Sequence, residues 1–124
     1  SGDLGRLDDD GYLYISDRLK DMIISGGENI YPAEIENHLN SIPGVSGAAV
    51  IGVPDAHWGE VPWAILTLHA GAVPESITTD SVREALNGKL ARYKLPKRVM
   101  LVDEFPRTAS GKIRKADLKA QFIG

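Results

Sequence analysis

Cysteine is absent from the 124 residues, which excludes disulfides and thiolate-bound metal and is compatible with a reducing cytosol. Histidine is sparse. His38, His57 and His69 are scattered without ligand spacing, so no metal site is expected. No apolar run approaches the roughly 20 residues that cross a bilayer, and no charged-then-apolar stretch of the secretory kind is read at the start. A cytoplasmic location is therefore expected. The glycines of SGGEN lack the Gly-Lys-Ser/Thr ending that a phosphate-cradling loop requires, which rules out a P-loop reading. No Ser/His/Asp arrangement, paired catalytic carboxylates or internal repeat is legible either.

What is present is an ordinary globular composition, 43% hydrophobic and 25% charged, enough for one core or for one domain with a piece of another. The charge is unevenly placed. Residues 1–60 hold eleven acids against three bases (−8), whereas residues 61–124 hold six acids against eleven bases (+5). A basic half suits a polyanionic partner. With no recognition motif beside it, nucleic acid is not expected, and a phosphorylated small molecule fits the charge equally well.

Along the chain, SGDLGRLDDDGYLYISDR predicts a β-hairpin turning at Asp10-Gly11, and DMIISGGENIYP a second, turning at Gly26-Gly27. An isolated hairpin is marginal in water, and the first has no preceding element to rest on, so a fragment of a larger chain is expected. Pro32 suits the first position of a helix carrying Ile35, Leu39 and Ile42 on one face and stopped by Pro43-Gly44. Strands are predicted over 45–53, 61–69 and 98–105. Helices are predicted from Thr79, with a Ser81/Glu84 capping box and Val82, Leu86 and Leu90 on one face, and from Arg114 to Ile123. The expected fold is a small two-layer α+β domain, a central sheet of about three strands covered by helices, with the terminal hairpin beside it.

Four stretches then align with one family. SGDLGRLDDDGYLYISDRLKDMIISGGENIYPAEIE, GVPDAHWGE, ARYKLPKR and PRTASGKIRK resemble, in order and spacing, the carboxyl-terminal end of adenylate-forming acyl-CoA synthetases. That superfamily also includes luciferases and the adenylation domains of peptide synthetases. The resemblance implies an ATP-dependent, AMP-forming ligase in which ATP with Mg2+ and coenzyme A are substrates, the phosphates and Mg2+ being held mainly by a large amino-terminal domain. Residues 1–19 would be the last hairpin of that domain and residues 20–124 the mobile carboxyl-terminal domain, inactive alone. The runners-up are a luciferase-like or carrier-protein-acylating relative, and a stand-alone regulatory or binding module.

The resemblance also implies roles for individual residues. Lys112, taken singly a solvated loop lysine on a mobile perch, becomes the cation delivered to the carboxylate and α-phosphate during adenylation. Acetylation would erase its charge, which implies a lysine acetyltransferase as a partner. Asp3 and Arg18 would bind the nucleotide ribose, with a turn aspartate as the plainer reading of Asp3. Lys20 would be the hinge. Gly26 and Gly27 would line the pantetheine tunnel as well as make a turn. Trp58 either stacks on the coenzyme's adenine or packs beneath its loop. Tyr93 and Lys94, in a run without acids from Lys89 to Arg98 that includes Lys97, either form a solvated face or seat the coenzyme's phosphates. Peripheral membrane association suits enzymes of long fatty acids, although nothing in the sequence encodes it.

Overall fold

The computed structural model describes residues 22–123. The terminal hairpin expected over residues 1–19, and with it Asp3, Arg18 and Lys20, lies outside the described residues. The chain enters through a short antiparallel hairpin, β1 (Ile23–Ser25) and β2 (Glu28–Ile30). Gly26 and Gly27 turn it with φ of 59° and 83°, the two positive angles that a tight primed turn demands. Ile23 and Ile30 are register partners, and both are buried.

Helix α1 (Pro32–Leu39) starts on its proline as expected and buries Ile35 and Leu39. It ends before the Pro43-Gly44 stop, and Ile42 reaches the core from the turn that follows. The long hairpin of β3 (Val45–Asp55) and β4 (Gly59–Leu68) is the spine of the domain. Helix α2 (Thr79–Leu86) begins where the sequence puts it, but its capping box is Thr78/Ser81 rather than Ser81/Glu84. Thr78 has extended backbone and accepts from the Ser81 N–H at 3.0 Å, while the Ser81 hydroxyl accepts from the Thr78 N–H at 2.9 Å. Ser81 is already inside the first turn, so it cannot be the cap. Leu90 lies past the helix end yet is still buried.

Strand β5 (Arg98–Leu101) runs parallel to β4, pairing Trp63 with Arg98 through Leu66 with Leu101. It is shorter than the predicted 98–105 because the chain leaves the sheet at Val102 and carries Phe105 into the core. Helix α3 (Lys115–Ile123) closes the described chain.

The α+β class is the one expected, and the sheet is mixed and five-stranded rather than about three-stranded. The difference is the β1–β2 hairpin, which joins the same sheet where Ser25 pairs with Gly59. β4 is central, with β3 on one side and β1 and β5 sharing the other at different heights. Side chains alternate through β3 and β4. Ala48, Val50, Ala64 and Leu66 share a cluster with α1 and α2, while Ala49, Ile51, Val53, Val61 and Ile65 share another with Phe105 and Leu118 of α3. The near-continuous apolar run AAVIGV thus belongs to a strand covered on both faces, and α3 adds cover that a two-layer arrangement lacks.

Candidate functional site

Among the described residues, three local structures hold those singled out from the sequence. The first is the loop between β3 and β4. Asp55 Oδ1 accepts from the N–H groups of His57 (2.8 Å) and Trp58 (2.9 Å). These two donors, Trp58 foremost, hold the Asp55 carboxyl below the ordinary carboxylate range. The Trp58 carbonyl in turn accepts from the Gly26 N–H at 2.8 Å. The indole lies against the hairpin tip so closely that a Cβ on Gly26 would sit 2.7 Å from its Cε3 atom. Lys97 Nζ stands 5.7 Å over the indole, and the His57 ring meets it edge-on at 4.5 Å. Trp58 is nonetheless 45% exposed. It is not tucked beneath its loop; one side braces the hairpin and solvent reaches the rest. Gly27 has open space where a Cβ would point.

The second is the basic run. Arg92–Lys94 form a single 3-10 turn, and Lys94 Nζ pairs with Glu34 Oε1 at 2.8 Å near the start of α1. That carboxylate raises the Lys94 pKa above its ordinary value. The Tyr93 ring is exposed, with Lys94 Nζ 5.8 Å from its centre. Lys97 is stitched to β4 by its N–H, which donates to the Pro62 carbonyl at 2.8 Å, and the Arg98 guanidinium lies 5.5 Å over Trp63. Lys97, Trp58 and Gly26 are therefore brought together, whereas Lys94 is committed to Glu34.

The third is the loop of Lys112, and it is not the unstructured perch its composition suggests. Arg107 and Ile113 form an antiparallel bridge. Inside it the Thr108 N–H donates to the Lys112 carbonyl (2.8 Å), the Lys112 N–H to Thr108 Oγ1 (3.2 Å), and the Gly111 N–H to the Thr108 carbonyl (2.9 Å). Arg107 Nη1 clamps the Gly111 carbonyl at 2.7 Å. Gly111 turns the chain at φ 94°, leaving Lys112 exposed just after it.

The loop starts beside Phe105 near the beginning of β3, and the hairpin tip packs on Trp58 just past the end of β3. Arg107 lies 5.8 Å over the Phe105 ring, and Phe105 packs beside Gly47, where a Cβ would meet it at 3.2 Å. Trp58 follows Asp55 at the far end of β3. The eight steps from Gly47 to Asp55 span roughly 26 Å at the usual strand rise. Sequence reasoning missed Asp55, although an aspartate leaving a strand for a turn is the signal of a side chain that caps the next backbone donors. Among the described residues no three His, Cys, Asp or Glu side chains group to hold a metal ion, and no helix is long and apolar enough to cross a membrane.

Comparison with known proteins gives a consistent result. Residues 34–112 match the family described as AMP-binding enzyme C-terminal domain. The chain is 52% identical over 98% of its length to a long-chain-fatty-acid–CoA ligase of Mycobacterium tuberculosis. It is equally similar to a feruloyl-CoA synthase of an Amycolatopsis species, and 48% identical over 96% of its length to a 2-succinylbenzoate–CoA ligase of Geobacillus kaustophilus. Each alignment covers 24% of the relative, so the chain spans about a quarter of the curated relatives it matches. Among solved structures, apo MatB from Rhodopseudomonas palustris superposes with a TM-score of 0.78 at 43% identity, over 83% of this chain and 20% of that one. A Mycobacterium tuberculosis fatty acyl CoA synthetase gives 0.77 at 48% identity, over 85% and 20%.

Proposed function

The chain belongs to the AMP-binding enzyme C-terminal domain family, and from that membership we propose that it is the small rotating domain of an ATP-dependent, AMP-forming carboxylate–CoA ligase. In the full-length enzyme the carboxylate attacks the α-phosphate of ATP, pyrophosphate leaves, and an acyl-adenylate forms. The thiol of coenzyme A then attacks the acyl carbonyl and AMP leaves.

Lys112 serves the first step. Negative charge gathers on the carboxylate and α-phosphate oxygens as they meet, and an ammonium brought there lowers the barrier. The hydrogen-bonded turn from Thr108 to Lys112 presents that ammonium on a preformed support, so little order has to be created at docking. Acetylation of Lys112 would remove the charge. The Gly26–Gly27 tip serves the second step, its missing side chains admitting the pantetheine arm close to backbone. Exposed Trp58 and Tyr93, with Lys94 and Lys97, face the coenzyme's nucleotide end. Of the two lysines Lys97 is the better placed, because it shares Trp58 while Lys94 is held by Glu34. Asp3 and Arg18 bind the ribose, Lys20 is the hinge between residues 1–19 and 20–124, and Mg2+ with the ATP phosphates belongs to the large domain.

What supports this reading is that Lys112 and Gly27 stand on separate local structures, the Thr108–Lys112 turn and the β1–β2 hairpin whose tip packs on Trp58. In this reading each structure serves one half-reaction, and the domain turns between them. The named acids of the relatives, long-chain fatty, ferulic and succinylbenzoic, differ widely at nearly equal identity to this chain. That supports assigning acid selectivity to the rest of the enzyme and the shared chemistry to this piece; we take the acid to be a fatty or related one.

The test is Lys112→Ala in the full-length enzyme with the half-reactions assayed apart. Pyrophosphate release is expected to fall at least about a hundredfold, the order lost with a transition-state charge partner, while thioester formation from supplied acyl-adenylate persists. Survival of both steps would refute the role of Lys112.

A further inference from the structure

The β1–β2 hairpin is lightly held for an element asked to meet a thiol. Its strands are three residues each, and among the described residues β1 pairs with β4 at one register position, Ser25–Gly59. Besides the burial of Ile23 and Ile30 and the Ser25–Gly59 pairing, three contacts among the described residues hold its outer end. The Ile24 N–H donates to Glu60 Oε1 at 3.1 Å, the Gly26 N–H donates to the Trp58 carbonyl at 2.8 Å, and the Trp58 ring fills the space over the Gly26 Cα. Two of the three belong to Trp58.

Trp58 is itself fixed from behind. Asp55 Oδ1 takes both the His57 and Trp58 amides, Gly59 ends the loop at φ 89°, and His57 and Lys97 stand at the edge and face of the indole. Contacts thus run unbroken from Asp55 at the end of β3, through the Trp58 backbone and ring, to the first glycine of the tip. A methyl at Gly26 would meet ring carbons Cε3 and Cζ3 at 2.7 and 3.0 Å, so the ring packs directly against the glycine backbone of the tip.

We infer that Trp58, clamped by Asp55, is a positioning residue for the Gly26–Gly27 tip, setting where that turn stands during thioester formation whether or not the indole touches the coenzyme's nucleotide. This deepens the ligase reading and rests on it. A ring that only stacked on adenine would need no fit against Gly26, whereas a brace requires it.

The experiment uses full-length enzyme loaded with acyl-adenylate and compares two thiol acceptors, coenzyme A and pantetheine, the second lacking the nucleotide. For Trp58→Ala the rate with each acceptor is expected to drop by a similar factor, about tenfold or more, since a reacting centre displaced by an ångström can lose up to a hundredfold. Trp58→Phe, which keeps a ring over Gly26, should recover most of it. Asp55→Ala perturbs only the exposed loop and guards against a misfolded Trp58 variant; its smaller loss should likewise be the same for both acceptors. Gly26→Ala should slow wild type more than it slows the Trp58→Ala background, because only wild type has a ring to clash with. Loss with coenzyme A alone, pantetheine being unaffected, would overturn the brace and leave a stacking role with the ligase reading intact. If wild-type enzyme acylates neither thiol, the ligase reading falls and the brace with it.

Discussion

At the scale of single residues, chemistry follows from partners more than from residue type. Asp55 is an ordinary turn aspartate by sequence, yet two backbone donors lower its pKa. A lowered folded pKa means that its contribution to loop order is complete above the unfolded value, roughly 3.9, and is lost as pH falls through the lower folded one. Acidification is therefore expected to leave the His57 and Trp58 amides protected at pH 5 and to free them well below pH 4. Amide hydrogen exchange of these two residues is the measurement, and protection that does not change with pH would contradict the clamp. Lys94 illustrates the reverse case. Its place in an acid-free run suggests a solvated or phosphate-facing charge, but Glu34, sixty residues earlier, already answers it.

At the scale of elements, Glu36 and α3 show how the sheet is closed. Among the described residues β3 is an edge strand, and Glu36 Oε2 reaches from α1 to accept its Val50 N–H at 2.9 Å and the Lys115 ammonium at 2.7 Å. One carboxylate thus protects an edge that could otherwise pair with another chain and ties α1 to the start of α3. Glu36→Ala leaves a buried backbone donor without its acceptor and should cost about 1–3 kcal/mol in denaturant unfolding. Leu118→Ala, emptying a fully buried position between Phe105 and Ile65, should cost about 2–5 kcal/mol and loosen the α3 helix that follows the Lys112 loop. Costs near zero would mean that α3 does not stabilise the domain. By sequence Glu36 is a charge near the start of a helix; its acceptor duty depends on β3 passing beside it.

At the scale of the whole molecule, each proposed half-reaction has its own local structure, the Thr108–Lys112 turn for one and the Gly26–Gly27 tip for the other. Gly27→Ala complements Lys112→Ala. Its added methyl meets nothing within the domain, and the φ of 83° costs about 1–2 kcal/mol of local strain. In the full-length enzyme it is expected to slow thioester formation several-fold and to leave pyrophosphate release near wild type, read from the same pair of assays. Equal slowing of both steps would mean that the two structures do not act separately.

The sequence by itself determined the α+β class, the helix starts at Pro32 and Thr79, the Gly26-Gly27 turn and the four motifs that mark the family. These depend on local rules: a fixed φ, a period of apolar residues, a turn that needs positive angles. It could not determine that the small hairpin joins the main sheet, that α3 covers a second face, that Lys94 answers Glu34, or that Trp58 leans on Gly26. Each of those joins residues well apart in the chain. Local propensity is blind to such contacts, which form only when packing brings the partners within a few ångströms.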